Sequence, residues 1–155
     1  MRKMFQYLKN QRGLTLIELL AVIIILGIIA AIAVPAIGGL IDNSREDAHI
    51  ANAETAVDAA RLASISENEE TGQFDVVVDD DNDGDINLVD AGYIESIPED
   101  PENNGYEEFY VTINDEGDYT VTMGNNGDNN IFNEVSIETI REDGRGAIGA
   151  DESDD

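Results

Sequence analysis

The residues with the clearest chemistry are the acids between Asp79 and Asp90, in the run DDDNDGDINLVD. Carboxylates occupy its first, third and fifth positions, glycine the sixth, isoleucine the eighth, asparagine the ninth and aspartate the twelfth. Oxygens at this spacing can wrap Ca²⁺, while the glycine permits a sharp turn and the isoleucine points inward. We therefore predict a calcium site, with Asp85 acting through its backbone carbonyl. The predicted ligands are Asp79, Asp81, Asp83, Asp85, Asn87 and Asp90.

The spacing departs from the EF-hand pattern at its twelfth position, where Asp90 replaces glutamate. It also resembles the shortened calcium loop of dockerin modules. Dockerins carry two such loops and this chain has one, so the resemblance implies calcium binding and not partner recognition. A solvated acidic face is the ordinary alternative for such a run. A second cluster of asparagines and Asp128 at 125–130 is explained equally well by a second ion or by a turn.

A second feature is the stretch QRGLTLIELL at positions 11–20. Glu18 stands five residues after Gly13, and no further charge occurs before Asp42. A charged side chain in the bilayer costs at least ~2.5 kcal/mol on insertion scales, so it tends to be functional and paired. Cleavage after Gly13 would create a cationic α-amine on Leu14. Glu18 could then pair with this amine in its own chain or in a neighbouring copy.

Five segments are expected to position these groups. The uncharged stretch Leu19–Ile41 can cross a hydrocarbon core of ~30 Å at ~1.5 Å per residue. Basic residues before it place the N-terminus in the cytoplasm. The segments are a removed leader at 1–13, a transmembrane helix at 14–41, its amphipathic continuation at 42–67, a head at 68–140 with the calcium loop 79–90, and a disordered acidic tail at 141–155.

Periodicity predicts the elements of the head. Apolar or small residues recur at helical spacing from Ile50 to Ser64, and the helix is expected to end at 68–72. Phe109–Ile113 and Tyr119–Met123 alternate like strands and flank the turn NDEGD, which predicts a hairpin. A third strand is expected at Ile131–Ile140, giving a sheet over about 109–140. The expected fold class is α+β, with a long N-terminal helix packed on a small antiparallel sheet.

Charge and composition exclude several functions. The first thirteen residues hold four of the eight bases and no acid, so their removal leaves a formal charge of 4 − 34 = −30. Such a surface will not bind nucleic acid directly. There is no cysteine, and His49, the single histidine, is expected on an exposed helix face. Without a phosphate loop, a His/Cys cluster or a Ser/His/Asp set, we expect no enzyme.

The N-terminal motif identifies a resemblance. Gly13, the sequence LTLIE from Leu14 to Glu18 and the apolar helix with Pro35 resemble the class III signal of the type IV pilin and type II secretion pseudopilin superfamily. The resemblance implies that a prepilin peptidase cuts between Gly13 and Leu14 and N-methylates Leu14. It implies that Glu18 pairs with a neighbour's N-terminus and that the helix, kinked or melted at Pro35, forms the core of a homopolymeric filament.

Further partners and a location follow from the same resemblance. They are a membrane assembly platform with its ATPase, and the lipid bilayer before assembly. The chain would be a single-pass inner-membrane protein with its N-terminus inside, and afterwards part of a periplasmic or extracellular filament. The stretch from Gly92-Tyr93-Ile94 through Pro98 and Pro101 to Tyr106 resembles the segment that major pseudopilins and many Gram-positive pilins carry before their sheet, and it supports the superfamily rather than one branch of it.

A plain signal anchor, or a secretory signal cut near Ala31-Ile32-Ala33, would also contain an apolar run of this kind. Neither of them accounts for Gly13 and Glu18 together. If the apolar run were such an anchor or signal, the chain would be a membrane-anchored calcium-binding or adhesive module that does not polymerise. The N-terminus of the protein from cells separates these two functions, because polymerisation requires Leu14 to be the first residue.

Overall fold

The computed structural model describes residues 15–77, 85–125 and 129–149. The chain divides into two compact units, Met1–Ile41 and Asp42–Asp155. The helix α1, Leu16–Glu67, contributes its first part to one unit and the remainder to the other. Within the described residues, five strands, a second helix and a short 3₁₀ helix belong to the second unit, Asp42–Asp155. From here on, the head means this whole unit, which is larger than the predicted 68–140 because it includes the second part of α1.

The helix α1 ends where its sequence predicted. Its 52 residues stop at Glu67, and Asn68 follows with φ 58°. Asparagine tolerates this left-handed conformation, and such a residue commonly terminates a helix. The single proline of this helix, Pro35, lies well inside it. Because proline has no N–H, the carbonyl of Ala31 has no helical donor at that point.

Five strands form one sheet in the order β2-β1-β3-β4-β5. All neighbours are antiparallel except β1 and β2, which are parallel. The predicted hairpin is confirmed: the third and fourth strands pair antiparallel, with Ile113 opposite Tyr119 next to the turn and Glu108 opposite Gly124 at the far end. The strands are β1 Gly72–Asp75, β2 Ile86–Asn87, β3 Glu108–Ile113, β4 Tyr119–Asn125 and β5 Asn129–Ser136.

The hydrophobic core lies between the sheet and the second part of α1. Small residues of α1, mostly alanines, are buried there and allow close approach of the helix to the sheet. On β3, Phe109, Val111 and Ile113 are buried while the residues between them are not, as expected of a half-buried strand. Phe74, Phe109 and Phe132 are among the largest fully buried side chains. The predicted α+β class, with a helix packed on a mainly antiparallel sheet, is therefore confirmed.

The C-terminal part of the head differs from the sequence prediction. The third strand ends at Ser136, and Ile137–Asp143 form the helix α2 in place of a strand running to Ile140. The expected disordered tail from Arg141 is wrong over its first part, because Gly144–Ala147 form a 3₁₀ helix. Ser136 caps α2 by accepting a hydrogen bond from the N–H of Thr139. Buried Ile140 and Ala147 hold this segment in the core.

Candidate functional site

Glu18 lies in the first turn of α1 and forms a capping box with Thr15. One carboxylate oxygen, Oε2, accepts hydrogen bonds from the Thr15 N–H at 2.9 Å and from Thr15 Oγ1 at 2.7 Å. In return, the Glu18 N–H donates to Thr15 Oγ1 at 3.3 Å. The Thr-x-x-Glu spacing is the sequence signature of this motif, and sequence reasoning overlooked it. Glu18 thus has a structural role at the helix start in addition to the assembly role expected of it.

The other residues of the N-terminal site are only partly described. Gly13 and Leu14, the predicted cleavage and methylation positions, lie outside the described residues. Pro35 lies seventeen residues beyond Glu18 within the same helix, and the helical assignment continues through it. Because the amine of Leu14 belongs to the undescribed part, its pairing with Glu18 stays a prediction.

The surface of α1 before Asp42 is almost entirely apolar. The large hydrophobic side chains from Leu16 to Ile41 are exposed, and the least exposed of them, Val22, has 45% of its area accessible. Within the described residues, α1 is the helix long and apolar enough to cross a membrane. An apolar surface of this extent is not tolerated in water and requires lipid or other protein surfaces around it. Lipid and neighbouring subunits are both suitable coverings.

The predicted calcium loop is closed by a short parallel ladder at its ends. Phe74 pairs with Ile86 and Asp75 with Asn87, and the Leu88 N–H donates to the Asp75 carbonyl at 2.8 Å. Leu88 is fully buried, so the end of the loop is anchored in the core. Sequence reasoning expected Ile86 to point inward. The half-buried Ile86 packs against the core, and its backbone forms β2.

Three of the six predicted calcium ligands lie within the described residues and three lie outside them. Asp79, Asp81 and Asp83 lie outside the described residues, whereas Asp85 is half-buried and Asp90 is exposed. Within the described ranges no three His, Cys, Asp or Glu residues form a group able to hold a metal. The calcium site therefore stays a prediction.

Asn87, another of the predicted ligands, makes side-chain hydrogen bonds within the turn that follows β2. Its Oδ1 accepts hydrogen bonds from the N–H groups of Val89 at 3.0 Å and Asp90 at 2.8 Å. Its Nδ2 is buried, and within the part of the chain that the structure describes it has no hydrogen-bond partner. In this conformation Asn87 shapes the turn that follows β2. All six predicted ligands carry oxygen atoms of the kind that Ca²⁺ binds.

The C-terminal segment is tied to α1 by two arginines that sequence reasoning did not single out. Arg145 donates to both carboxylate oxygens of Asp47, from Nε at 2.7 Å and from Nη2 at 2.6 Å. Arg141 Nε donates to Glu54 at 3.3 Å. Asp47 and Glu54 are seven residues apart, so they lie on one side of α1. These two contacts fasten the end of the described chain along the helix.

Comparison with known proteins places the chain in a family. Residues 8–34 match the family model described as the prokaryotic N-terminal methylation motif. Type II secretion system core protein G of Vibrio cholerae serotype O1 is 33% identical over 125 residues, covering 77% of this chain and 84% of that protein. The type IV major alpha-pilin of Moraxella bovis is 53% identical over 53 residues, covering 32% of this chain and 33% of that pilin. No solved structure gave a significant match.

These similarities agree with the geometry described above. The matched motif spans the start of α1, including Glu18, and extends along the exposed apolar part of this helix to residue 34. The relatives are structural subunits and not enzymes. The chain belongs to the type IV pilin and type II secretion pseudopilin superfamily and is a structural subunit of a filament.

Proposed function

We propose that this chain is a pseudopilin that forms a filament of the type II secretion kind. The observation that carries the proposal is the extent of similarity to core protein G, which covers 77% of the chain and therefore includes most of the head. Similarity to the alpha-pilin covers 32% of the chain. Because the N-terminal helix is common to the superfamily, the head is the part that distinguishes its branches.

Processing precedes assembly in this proposal. A prepilin peptidase cuts between Gly13 and Leu14 and N-methylates Leu14. Removal of the leader takes away four bases and leaves the amine of Leu14 close to Glu18. The new amine is a cation beside the one carboxylate that the sequence places between Gly13 and Asp42. The match of residues 8–34 to a methylation motif supports this step.

Assembly then moves α1 from lipid to protein surroundings. Before assembly the uncharged part of α1 spans the inner membrane, with its N-terminus in the cytoplasm. A membrane platform driven by an ATPase extracts the subunit, and Glu18 pairs with the Leu14 amine of a neighbour. Each subunit thereby exchanges lipid contacts for helix contacts, and Pro35 gives the helix a point at which it can bend.

The head contributes little direct attraction between copies. At a formal charge of −30 for the processed chain, like-charged heads repel each other unless cations are present. Calcium held by Asp79, Asp81, Asp83, Asp85, Asn87 and Asp90 would neutralise part of that charge and order the loop between β1 and β2. The ladder from Phe74–Ile86 to Asp75–Asn87 supports this, because it brings the two ends of the loop together.

Deletion of the gene in its own host tests the proposal. We expect loss of secreted enzymes from the medium, with surface pili retained, and restoration of secretion by the wild-type gene. A complementing gene with Gly13 replaced by aspartate should accumulate as precursor and restore nothing, and mass spectrometry of the wild-type protein should find Leu14 at its N-terminus. Loss of surface pili with normal secretion would instead assign the chain to a pilus.

A further inference from the structure

His49 is the single histidine of the chain, and it is buried in the head rather than exposed. Only 4% of its surface is accessible. Its Nδ1 lies 2.9 Å from the hydroxyl oxygen of Tyr106, and the two rings meet edge to face with centroids 5.8 Å apart. The sequence prediction of an exposed histidine is therefore wrong. Tyr106 lies at the end of the segment that connects the predicted calcium loop to β3.

Asn52 completes this buried group. Its Nδ2 donates to the Tyr106 hydroxyl at 2.8 Å and to the Glu99 carbonyl at 3.0 Å. Asn52 lies three residues after His49, so both project from one side of α1. The segment 99–106 is thus held on α1 at both ends, by Glu99 and by Tyr106.

The proton positions in this group follow from its donors and acceptors. Both protons of the Asn52 amide are donated, one of them to the Tyr106 oxygen. We assign the tyrosine hydroxyl as the donor to His49 Nδ1, which corresponds to a neutral imidazole protonated at Nε2. A protonated His49 would direct a second N–H at the same oxygen. The Tyr106 proton would have to turn away, and in this buried position it would lose its acceptor.

Burial and the surrounding charges shift the pKa of His49 in opposite directions. Burial lowers the pKa of His49, and the nearby carboxylates of Asp100 and Glu102 oppose that change. Asp100 is itself fixed, since it accepts hydrogen bonds from the N–H groups of Glu102 and Asn104. On α1, Glu46 and Asp47 precede His49 and are paired with Arg145 of the 3₁₀ helix. Burial also raises the pKa of Tyr106 to about 12, so its hydroxyl keeps its proton at physiological pH.

We propose that the His49–Tyr106 hydrogen bond is an acid-sensitive latch that holds the segment 99–106 on α1. With neutral histidine the latch is closed, and protonation of His49 opens it by adding a donor where an acceptor is needed. Because burial depresses the pKa, the stabilisation is fully present above the ordinary histidine value of 6.5 and is lost as pH falls through the lower value of the closed form. Between 6.5 and the pKa of the closed form, the equilibrium constant for opening rises about tenfold for each unit that pH falls.

The single histidine makes the test direct. The full-length protein, purified in detergent with a tag that contains no histidine, should show one imidazole resonance that titrates below 6.5. Amide hydrogen exchange of residues 99–106 should be measured from pH 7.5 to pH 5 in parallel with His49→Asn. The asparagine oxygen replaces Nδ1 as the acceptor and does not titrate.

We expect the ratio of exchange rates, wild type to His49→Asn, to rise about tenfold for each unit that pH falls between 6.5 and the pKa of the closed form, and to level off below that pKa. The ratio should stay constant for residues of β4, which lie outside the latch. An imidazole that titrates at 6.5 or above, or an exchange ratio that is independent of pH, would overturn the proposal. Should His49→Asn fail to fold, the wild-type titration and the protection factors of residues 99–106 relative to those of β4 decide it, since protection should fall with pH below 6.5 in the latch segment and not in β4.

Discussion

Arg145 and Asp47 are 98 residues apart in the chain and form an ion pair in which Nη2 lies 2.6 Å from Oδ2. The guanidinium donates from Nε and Nη2 to the two carboxylate oxygens, an arrangement with more geometric specificity than a single contact. This pair joins the C-terminal 3₁₀ helix to α1. Asp47 lies two residues before His49, so the end of the described chain and the acid-sensitive segment are fastened to the same stretch of helix.

The first prediction concerns this pair. Arg145→Gln should lower the thermal midpoint of the head and increase hydrogen exchange in Gly144–Ala147, because the bidentate contact is lost. Arg45→Gln is the matched control, since Arg45 contacts Asp42 at 3.8 Å within the same helix and should change neither quantity measurably. Circular dichroism and exchange measured by mass spectrometry check both variants.

The same pair should respond to pH. The hydrogen bond from Arg145 holds the pKa of Asp47 below its usual value of 3.8. The contribution of the pair to the free energy of unfolding is therefore present above that value and is lost as pH falls through the lowered pKa. The difference in midpoint between wild type and Arg145→Gln should be constant at neutral pH and shrink only in strong acid. A difference that shrinks already near pH 6 would contradict the assignment to Asp47.

The second prediction separates the charge of Glu18 from its capping role. Glu18→Gln removes the charge but retains an oxygen that can accept from Thr15, as glutamine does in capping boxes. Thr15→Ala breaks the capping box and retains the charge. If pairing with the Leu14 amine drives assembly, Glu18→Gln should abolish filaments and Thr15→Ala should only reduce them. Electron microscopy of sheared filaments, with immunoblots of membrane-bound subunit as control, measures the outcome. If Thr15→Ala instead abolished filaments and Glu18→Gln only reduced them, helix capping rather than charge pairing would be the role that assembly requires.

The third prediction tests the calcium loop. Calcium should raise the thermal midpoint of the full chain in detergent, and a chelator should lower it, because a ligand that binds the folded state stabilises it. Replacement of Asp79, Asp81 and Asp83 by asparagine should abolish the difference. Asp115→Asn, in the exposed hairpin turn, removes an acid without touching the loop and should retain the difference. Equal midpoints of the wild type in calcium and chelator would rule out a stabilising ion.

The fourth prediction concerns the core. Phe109 is 1% exposed and its ring packs edge to face on Tyr106, with centroids 5.2 Å apart. Phe109→Ala should reduce the free energy of unfolding by about 3–5 kcal/mol, the range for truncation of a buried phenylalanine. Tyr110→Ala, on the opposite face of β3, should cost much less. Chemical denaturation of both variants provides the comparison. Similar losses would mean that both faces of β3 are packed.

Some elements could be predicted because their signals lie in adjacent residues. The uncharged stretch before Asp42 indicated the apolar part of α1, and a turn of Asn114 to Asp118 between alternating segments indicated the β3–β4 hairpin. In the structure Asn114 Oδ1 accepts from the N–H groups of Glu116 and Asp118, and Gly117 has φ 86°. These interactions span at most four residues, so the local sequence specifies them.

Other elements could not be predicted, because their stability comes from distant contacts. The strand β2 has two residues and exists only by pairing with β1. The strand β5 departs from simple alternation at Glu134, which has a φ of 52°. The N–H of Glu134 donates to Thr122 Oγ1, and the pairing between β4 and β5 shifts register near this point. The helix α2 follows from the capping of its first turn by Ser136, in a stretch whose apolar residues fit a strand equally well.

The sequence by itself indicated a filament subunit with an apolar N-terminal helix, because Gly13, Glu18 and the uncharged run form one contiguous motif that resembles the signal of the type IV pilin and pseudopilin superfamily. Only the tertiary structure decided that His49 is buried against Tyr106 and that Arg145 holds Asp47. These contacts join residues that are far apart in the chain. Their geometry depends on how the whole head packs, because the core and sheet bring such residues together only once folding has closed the loops between them.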